Sequence, residues 1–140
     1  MAWEPVSPRL LSARFYSKGR NITIIQGYAP TNAAEEEEKA DFYSSLQSLY
    51  DRSPRRDIKI VMGDMNAKVG DNNTHRESIM GKHRVGTCNE NGEIFMDFCS
   101  FNGLVIGGTI YPHKNIQKTT WTSPDGKTNN QIYHFTIDRK

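Results

Sequence analysis

Chemistry is most concentrated in the run Ile60-Val61-Met62-Gly63-Asp64-Met65-Asn66. An apolar stretch reaches a glycine, and a carboxylate and an amide follow, two residues apart. If the extended backbone continues past Gly63, the side chains of Asp64 and Asn66 share one face, because successive strand residues alternate. A carboxylate placed there offers a hard oxygen ligand for Mg²⁺ or a partner for an attacking water, and the amide can hold a phosphate oxygen. The same residues also read as a strand ending in an Asp/Asn turn, a common use of both types. A second run, Gln26-Gly27-Tyr28-Ala29-Pro30-Thr31-Asn32, again leads a strand into a loop. Tyr28 can present its hydroxyl to a phosphate there, or pack as a rim aromatic under the loop. A third, Thr119-Thr120-Trp121-Thr122 followed by Pro124-Asp125-Gly126 and residues 129–134, reads as a hairpin with polar residues near its end.

The elements that must position these residues alternate between strand and helix. Residues 10–16 and 21–28 are β-prone and joined by Ser17-Lys18-Gly19-Arg20, which predicts a hairpin. Residues 35–51 carry the strongest helix signal. Glutamates 35 to 38 fill a first turn that suits the positive end of the helix dipole, and Phe42, Leu46, Leu49 and Tyr50 recur at helical spacing. Residues 57–62 form a short strand. Residues 70–86 are polar and irregular, with one helical turn expected near 77–80. Residues 92–101 are a second amphipathic helix with Ile94, Phe95, Phe98 and Phe101 inward, capped by Gly103 and followed by the strand Leu104-Val105-Ile106. Residues 119–122 and 131–137 are read as two strands around the turn Ser123-Pro124-Asp125-Gly126. The fold class is α/β, with helices covering a sheet.

With 140 residues, the chain fits one domain spanning residues 1–140, long enough to bury a core. An apolar share of 36% and a mean hydropathy of -0.70 fit a two-layer domain and exclude a membrane protein of helical spans. No apolar run approaches the roughly 20 residues that a spanning helix requires, and the opening Met1-Ala2-Trp3-Glu4-Pro5 lacks a signal-peptide pattern. A net charge of +2 permits nucleic-acid binding without arguing for it. Cys88 and Cys99, without metal-ligand spacing, read as reduced intracellular thiols, which places the chain in the nucleus or cytoplasm. The four glutamates are read as a solvated helix start, since only i,i+3 or i,i+4 pairs share a helix face. His75, His83 and His113 are scattered in polar loops and read as surface residues.

Taken together and in order, four runs resemble the exonuclease–endonuclease–phosphatase superfamily. They are Gly27-Tyr28-Ala29-Pro30-Thr31, Gly63-Asp64-Met65-Asn66-Ala67-Lys68-Val69-Gly70, Asn91-Gly92-Glu93 and Thr120-Trp121-Thr122-Ser123-Pro124-Asp125-Gly126. The resemblance is strongest to endonuclease domains of RTE-type non-LTR retrotransposons and to the craniofacial development protein 2-like proteins derived from them. It implies part of a DNase I-like four-layer α/β/β/α sandwich, Mg²⁺ as cofactor, DNA as partner and phosphodiester hydrolysis as the reaction. Carried over by motif, Tyr28 would contact the scissile phosphate. Asp64 would orient or deprotonate the attacking water, and Asn66 would hold a phosphate oxygen beside it. Thr31, Asn32 and Thr120 would lie along the DNA backbone, with Trp121 in the core.

The sequence also departs from that pattern. The family's metal-binding glutamate, in a Gln-Glu-Thr-like motif upstream of the Tyr28 region, is absent, and so is the closing Ser-Asp-His motif. In Gln131-Ile132-Tyr133-His134, Tyr133 stands where relatives carry an aspartate, and a phenol cannot supply a carboxylate's negative charge. His134 is read as a strand residue and not as the catalytic histidine. Lacking these parts, the site is expected to be inactive. A non-catalytic nucleic-acid- or protein-binding remnant, or a retroelement product without selected function, is the alternative. Truncation of the sandwich is expected to leave residues 10–16 or 131–137 as open sheet edges prone to self-association.

Overall fold

The computed structural model describes residues 1–83, 86–112, 114 and 118–139; of the expectations above, that for His113 lies outside them. Its first strand, β1 (Ala2–Ser7), precedes the first run that the sequence reading assigns to a strand. Pro5 and Pro8 obscure it, since proline in a strand is confined to edges and bulges. β1 is such an edge: it pairs only with β2 (Leu10–Phe15), and the register slips between Pro5 and Ser7. β2 and β3 (Ile22–Tyr28) form the expected hairpin, from Leu10 opposite Gly27 to Phe15 opposite Ile22. Helix α1 (Glu36–Arg52) buries Phe42, Leu46, Leu49 and Tyr50, the four positions that the periodicity selects. The chain then enters β4 (Ile58–Asp64), parallel to β3, as a strand–helix–strand crossover requires.

Helix α2 (Glu90–Asn102) begins at Asn89, whose side chain accepts a hydrogen bond from the Gly92 amide, and ends at Gly103 in the left-handed conformation. Its inward face is Asn91, Gly92, Phe95, Met96, Phe98 and Cys99. Phe101, expected inward, is 81% exposed, because it lies in the last turn on the side of the helix away from the packed stripe. The segment between β4 and α2 is not simply a polar loop. Ile79 and Met80 are buried, held by a turn in which both amides donate to the Arg76 carbonyl, and Ile79 accepts from the Ile106 amide.

After β5 (Leu104–Ile106), the third expected hairpin takes a different form. β6 (Trp121–Thr122) pairs with β7 (Asn129–Asn130) in a separate two-stranded ribbon. β8 (Tyr133–Asp138) instead enters the main sheet between β4 and β5. The six strands run β1-β2-β3-β4-β8-β5. The edges are therefore β1 and β5, not the segments near residues 10–16 and 131–137, which both have a neighbour on each side.

One face of this sheet is covered and the other is not. Ile25, Val61, Thr136, Leu104 and Ile106 point to the covered side and, with the helices, form a continuous core. At the far end of that layer, Asp57 is buried and accepts from Arg14 Nε at 2.7 Å, Arg14 Nη2 at 3.0 Å and Thr23 Oγ1 at 2.7 Å. These donors hold its carboxyl below the usual carboxylate range. Lys39 is buried where the helices start, between Glu36 at 3.2 Å and Glu90 at 3.3 Å, so the acidic first turn of α1 is partly a clamp. The opposite face presents Trp3, Leu11, Ile24, Ile60, Met62 and Phe135 with no helix over them. No helix among the described residues is long and apolar enough to cross a membrane.

Candidate active site

The parallel register of β3 and β4 ends with Tyr28 opposite Asp64, and the antiparallel register of β4 and β8 places Asp64 opposite Tyr133. Register partners share a sheet face, so Tyr28, Asp64 and Tyr133 form a row across three strand ends on the uncovered side. The two rings are about half exposed and Asp64 is half-buried. Gly63 stays within β4 and does not end it, so Asp64 is the last strand residue. Gly63 has φ +136°, and a Cβ there would run into the backbone carbonyl of Gly27 on the neighbouring strand. No side chain therefore fits at Gly63, just before the row, and its positive φ also favours glycine.

Asn66 does not continue the extended path. Its φ of 46° turns the chain, so it does not share a strand face with Asp64 as expected. Asparagine tolerates this region because its side chain can bond locally. The Asn66 amide N–H donates to Asp64 Oδ1 at 2.9 Å, and Asn66 Nδ2 donates to the Ala29 carbonyl at 2.9 Å. The Asp/Asn turn reading of the segment is thus realised, closed by the carboxylate of the last strand residue.

Three loops are knitted here by asparagine side chains. Asn91 Nδ2 donates to the Pro30 carbonyl at 2.9 Å and to the Asn66 carbonyl at 3.3 Å, and its backbone N–H donates to Asn32 Oδ1 at 3.0 Å. Asn89 Nδ2 donates to the Asn66 carbonyl at 3.3 Å, and its Oδ1 accepts from the Lys68 and Gly92 amides at 2.9 and 2.8 Å. From the covered side, His134 Nε2 donates to the Ala67 carbonyl at 2.7 Å and its ring lies 5.2 Å from that of Phe95. Burial pushes its pKa below the ordinary histidine value, so it is held neutral. His134 therefore lies on the opposite sheet face from Asp64 and supports the Asp64–Ala67 loop from beneath.

The other expected residues are placed less directly. Thr31 is exposed, and its carbonyl accepts from the Ala34 amide. Asn32 is exposed, but its side-chain oxygen is taken by Asn91. Thr120 Oγ1 accepts from the Ile132 and Tyr133 amides at 3.0 and 3.1 Å, so its hydroxyl fastens the ribbon to the start of β8. Trp121, expected in the core, is 40% exposed, because β6 belongs to the small ribbon and not to the main sheet. Arg9 was not singled out from the sequence, where nothing in Ser7-Pro8-Arg9 marks it. Its guanidinium lies 5.3 Å from the Tyr28 ring centroid, donates to the Tyr28 carbonyl at 3.2 Å and pairs with Glu38 at 2.8 Å. Among the described residues, no three His, Cys, Asp or Glu side chains gather as a metal site. Asp64 is the one carboxylate of the row.

No family model matches the chain. Its sequence is 43% identical over 124 residues, 89% of the chain, to craniofacial development protein 2 of Tragulus javanicus and of Bos taurus. The chain spans 21% of the length of these curated relatives. Among solved structures, the endonuclease domain of TRAS1, a telomere-specific non-LTR retrotransposon, matches with a TM-score of 0.58 at 16% identity, covering 91% of this chain and 48% of that one. A 3′ phosphatase NExo from Neisseria, bound to product DNA hairpin, gives a TM-score of 0.57 at 14% identity, covering 96% and 55%. An endonuclease/exonuclease/phosphatase family protein from Leptotrichia buccalis gives 0.55 at 13%, covering 93% and 42%. The resemblance read from the four sequence runs is borne out: the chain has the fold of the endonuclease/exonuclease/phosphatase proteins and is similar, over most of its length, to craniofacial development protein 2.

Proposed function

We propose that this chain carries the remnant of a DNA-nicking site of the retrotransposon endonuclease type, and that as it stands it contacts nucleic acid without cutting it. The observation that carries this reading is the row Tyr28–Asp64–Tyr133. It keeps a phenol and a carboxylate where the resemblance expects a phosphate contact and a water-orienting group. It has a second phenol where relatives carry an aspartate. Tyr28 offers its hydroxyl to a phosphate oxygen, and Arg9 brings positive charge against the same ring. Asp64 can accept a proton or orient a water, although the Asn66 amide already occupies Oδ1. Asn66 positions the loop through its contact with Ala29, and Thr31, Asn32 and Thr120 are the nearby polar residues for a nucleic-acid backbone.

Magnesium is the cofactor that the resemblance implies. Mg²⁺ is ordinarily held by one or two carboxylates together with substrate phosphates and waters. A lone, already engaged Asp64 gives it a weak hold in this chain. Groups that act as a unit fail together, so a site lacking several of them leaves little activity above background.

The test is relaxation of supercoiled plasmid with Mg²⁺, run beside a gel shift at several salt concentrations. The expected result is no nicking, by the chain itself or by Tyr133→Asp, together with a DNA shift that weakens as salt rises. Nicking that disappears in Asp64→Ala would overturn the inactive reading. Absence of any salt-dependent shift would overturn the binding one.

A further inference from the structure

We propose that the arginine-lined cavity at the end of the sheet opposite the Tyr28–Asp64–Tyr133 row is a phosphate site that takes the backbone of a single nucleic-acid strand. The inference goes beyond the reading above, since it concerns other residues at the other end of the strands. β3 and β4 run parallel and begin together, with Ile22 opposite Ile58. Their length, at about 3.3 Å per residue, puts this end roughly 20 Å from the row. A cavity of about 380 Å³ lies there, between the β2–β3 turn and the turn that leads from α1 into β4. Arg14 in its floor is the register partner of the buried Thr23, so that floor belongs to the helix-covered side of the sheet and not to the uncovered face.

Both walls are fixed by hydrogen bonds. In the β2–β3 turn, the Ser17 amide donates to Asn21 Oδ1 at 3.1 Å, and Ser17 Oγ donates to the Arg20 carbonyl at 2.8 Å. In the other turn, the Asp57 amide donates to the Pro54 carbonyl at 3.2 Å. Arg20 Nε donates to the Arg56 carbonyl at 3.2 Å and the Ile58 amide to the Asn21 carbonyl at 2.8 Å, which ties one wall to the other. The lining carries Arg14, Arg20, Arg55 and Arg56 against the single carboxylate of Asp57. That is a surplus of three positive charges in one cavity, whereas the whole chain carries +2. The Asp57 charge is itself answered within the floor, by Arg14 and Thr23.

Guanidinium groups meet phosphate oxygens as a planar fork of donors, and they shed their water more readily than an ammonium does. Two features favour a strand over a lone phosphate as the occupant. A second depression, of about 390 Å³, shares Arg14 and Pro54 with the first, so the groove continues past the room that one phosphate needs. Beside it Tyr16 is 59% exposed, its ring centroid 5.2 Å from the Arg14 guanidinium carbon, and it offers a base a stacking surface next to the charge. A bare phosphate uses the arginines alone. A strand uses the ring as well, and its bases reach that ring because no partner strand holds them.

The experiment is fluorescence anisotropy of a labelled oligothymidylate of about 12 residues, titrated with the whole chain at about 50 and about 200 mM salt. Arg55→Ala/Arg56→Ala is expected to weaken binding at least about tenfold and to reduce the salt slope by about 1.4, two contacts at about 0.7 each. Tyr16→Ala is expected to weaken it at least about fivefold while leaving competition by tripolyphosphate unchanged. Lys82→Ala/Lys127→Ala removes the same charge from exposed positions elsewhere and should stay within about twofold of the parent. A loss as large in that control as in the arginine pair would overturn the proposal, because the attraction would then be diffuse, and so would absence of binding. A strand held no better than an abasic one, with Tyr16→Ala silent, would also overturn it, since the cavity would then take free phosphate only. Affinity lost in Arg9→Ala/Tyr28→Phe but kept in the arginine pair would overturn it and leave the row reading intact; the reverse would sink the row reading alone. If the arginine pair melts below the parent, Arg56→Glu at its exposed position carries the comparison.

Discussion

Replacing Asn91 by alanine removes the side chain that ties the Tyr28 loop to the Asp64 loop. Asn91 is 1% exposed, and its Nδ2 donates to the Pro30 carbonyl at 2.9 Å and the Asn66 carbonyl at 3.3 Å. A neutral hydrogen bond contributes about 1 kcal/mol net, and a buried carbonyl left without its donor costs about 1–3 kcal/mol. The Asn66 carbonyl keeps Asn89 as a second donor, so the larger penalty falls on Pro30 alone. Against this, the substitution removes Asn91 Oδ1, which is buried without a partner and returns about 1 kcal/mol when deleted. The balance is a loss of about 1–3 kcal/mol, or a Tm lower by roughly 3–12 °C at this chain length. Thermal melts by circular dichroism, at one fixed protein concentration, measure it. Hydrogen exchange should accelerate at Asn66 and Ala67 more than in β2. Asn91→Asp should be at least as damaging, since it turns an acceptor toward two carbonyls. A Tm within about 1 °C of the parent, with unchanged exchange at Asn66, would show that the loops are held by something other than this side chain.

Other perturbations reach the layers around the site. The donors on Asp57 depress its folded pKa, so its contribution is complete above the unfolded carboxylate pKa of about 4 and is lost as pH falls through the lowered value. An acid titration of Tm should therefore steepen below about pH 4, and Asp57→Asn should lower Tm at neutral pH and flatten that limb. His134 is held neutral with a depressed folded pKa, so the unfolded chain binds the extra proton first. Stability should decline as pH drops below about 6.5 and level off once the folded-state pKa is passed, and His134→Gln should remove that slope in urea titrations. The Tyr43 hydroxyl is buried without a partner, so Tyr43→Phe should leave Tm unchanged or raise it. A drop of several degrees in that melt would mean the hydroxyl contributes a bond.

Much of this arrangement can be read along the chain where periodicity and local chemistry agree. Phe42, Leu46, Leu49 and Tyr50 lie on one helical stripe and are buried together. Gly103 ends α2 because it adopts φ 64° without cost. The placement of Asp64 beside Tyr28 follows from two similar strand-to-loop runs, but their adjacency needs the parallel register, which no local pattern encodes. Asn66 misleads because alternation holds only while the backbone stays extended, and one left-handed residue ends it. The ribbon misleads in another way: Gln131 and Ile132 look continuous with Tyr133, yet the amides of Ile132 and Tyr133 are taken by Thr120, and the ladder restarts in another sheet. Arg9, Asn91 and the loop contacts of Asn89 are hidden because those partners lie 19 to 61 residues away.

The start of α2 has a consequence for how the protein ages. Asn91 precedes Gly92, the pair in which an asparagine side chain is most readily attacked by the next backbone nitrogen, losing ammonia and becoming aspartate or isoaspartate. In the folded chain that nitrogen is occupied: the Gly92 N–H donates to Asn89 Oδ1 at 2.8 Å inside a helical turn, and the Asn91 amide is held by two carbonyls. Unfolding frees both reactants at once. Each excursion to the unfolded state thus carries a risk of irreversible chemical change, and the product would place a carboxylate against the carbonyls of Pro30 and Asn66. Repeated heating should therefore deplete refoldable protein in step with a mass gain of about one dalton at Asn91, resolved by fragmentation from the second Asn-Gly pair at Asn102, while storage in the folded state leaves Asn91 intact.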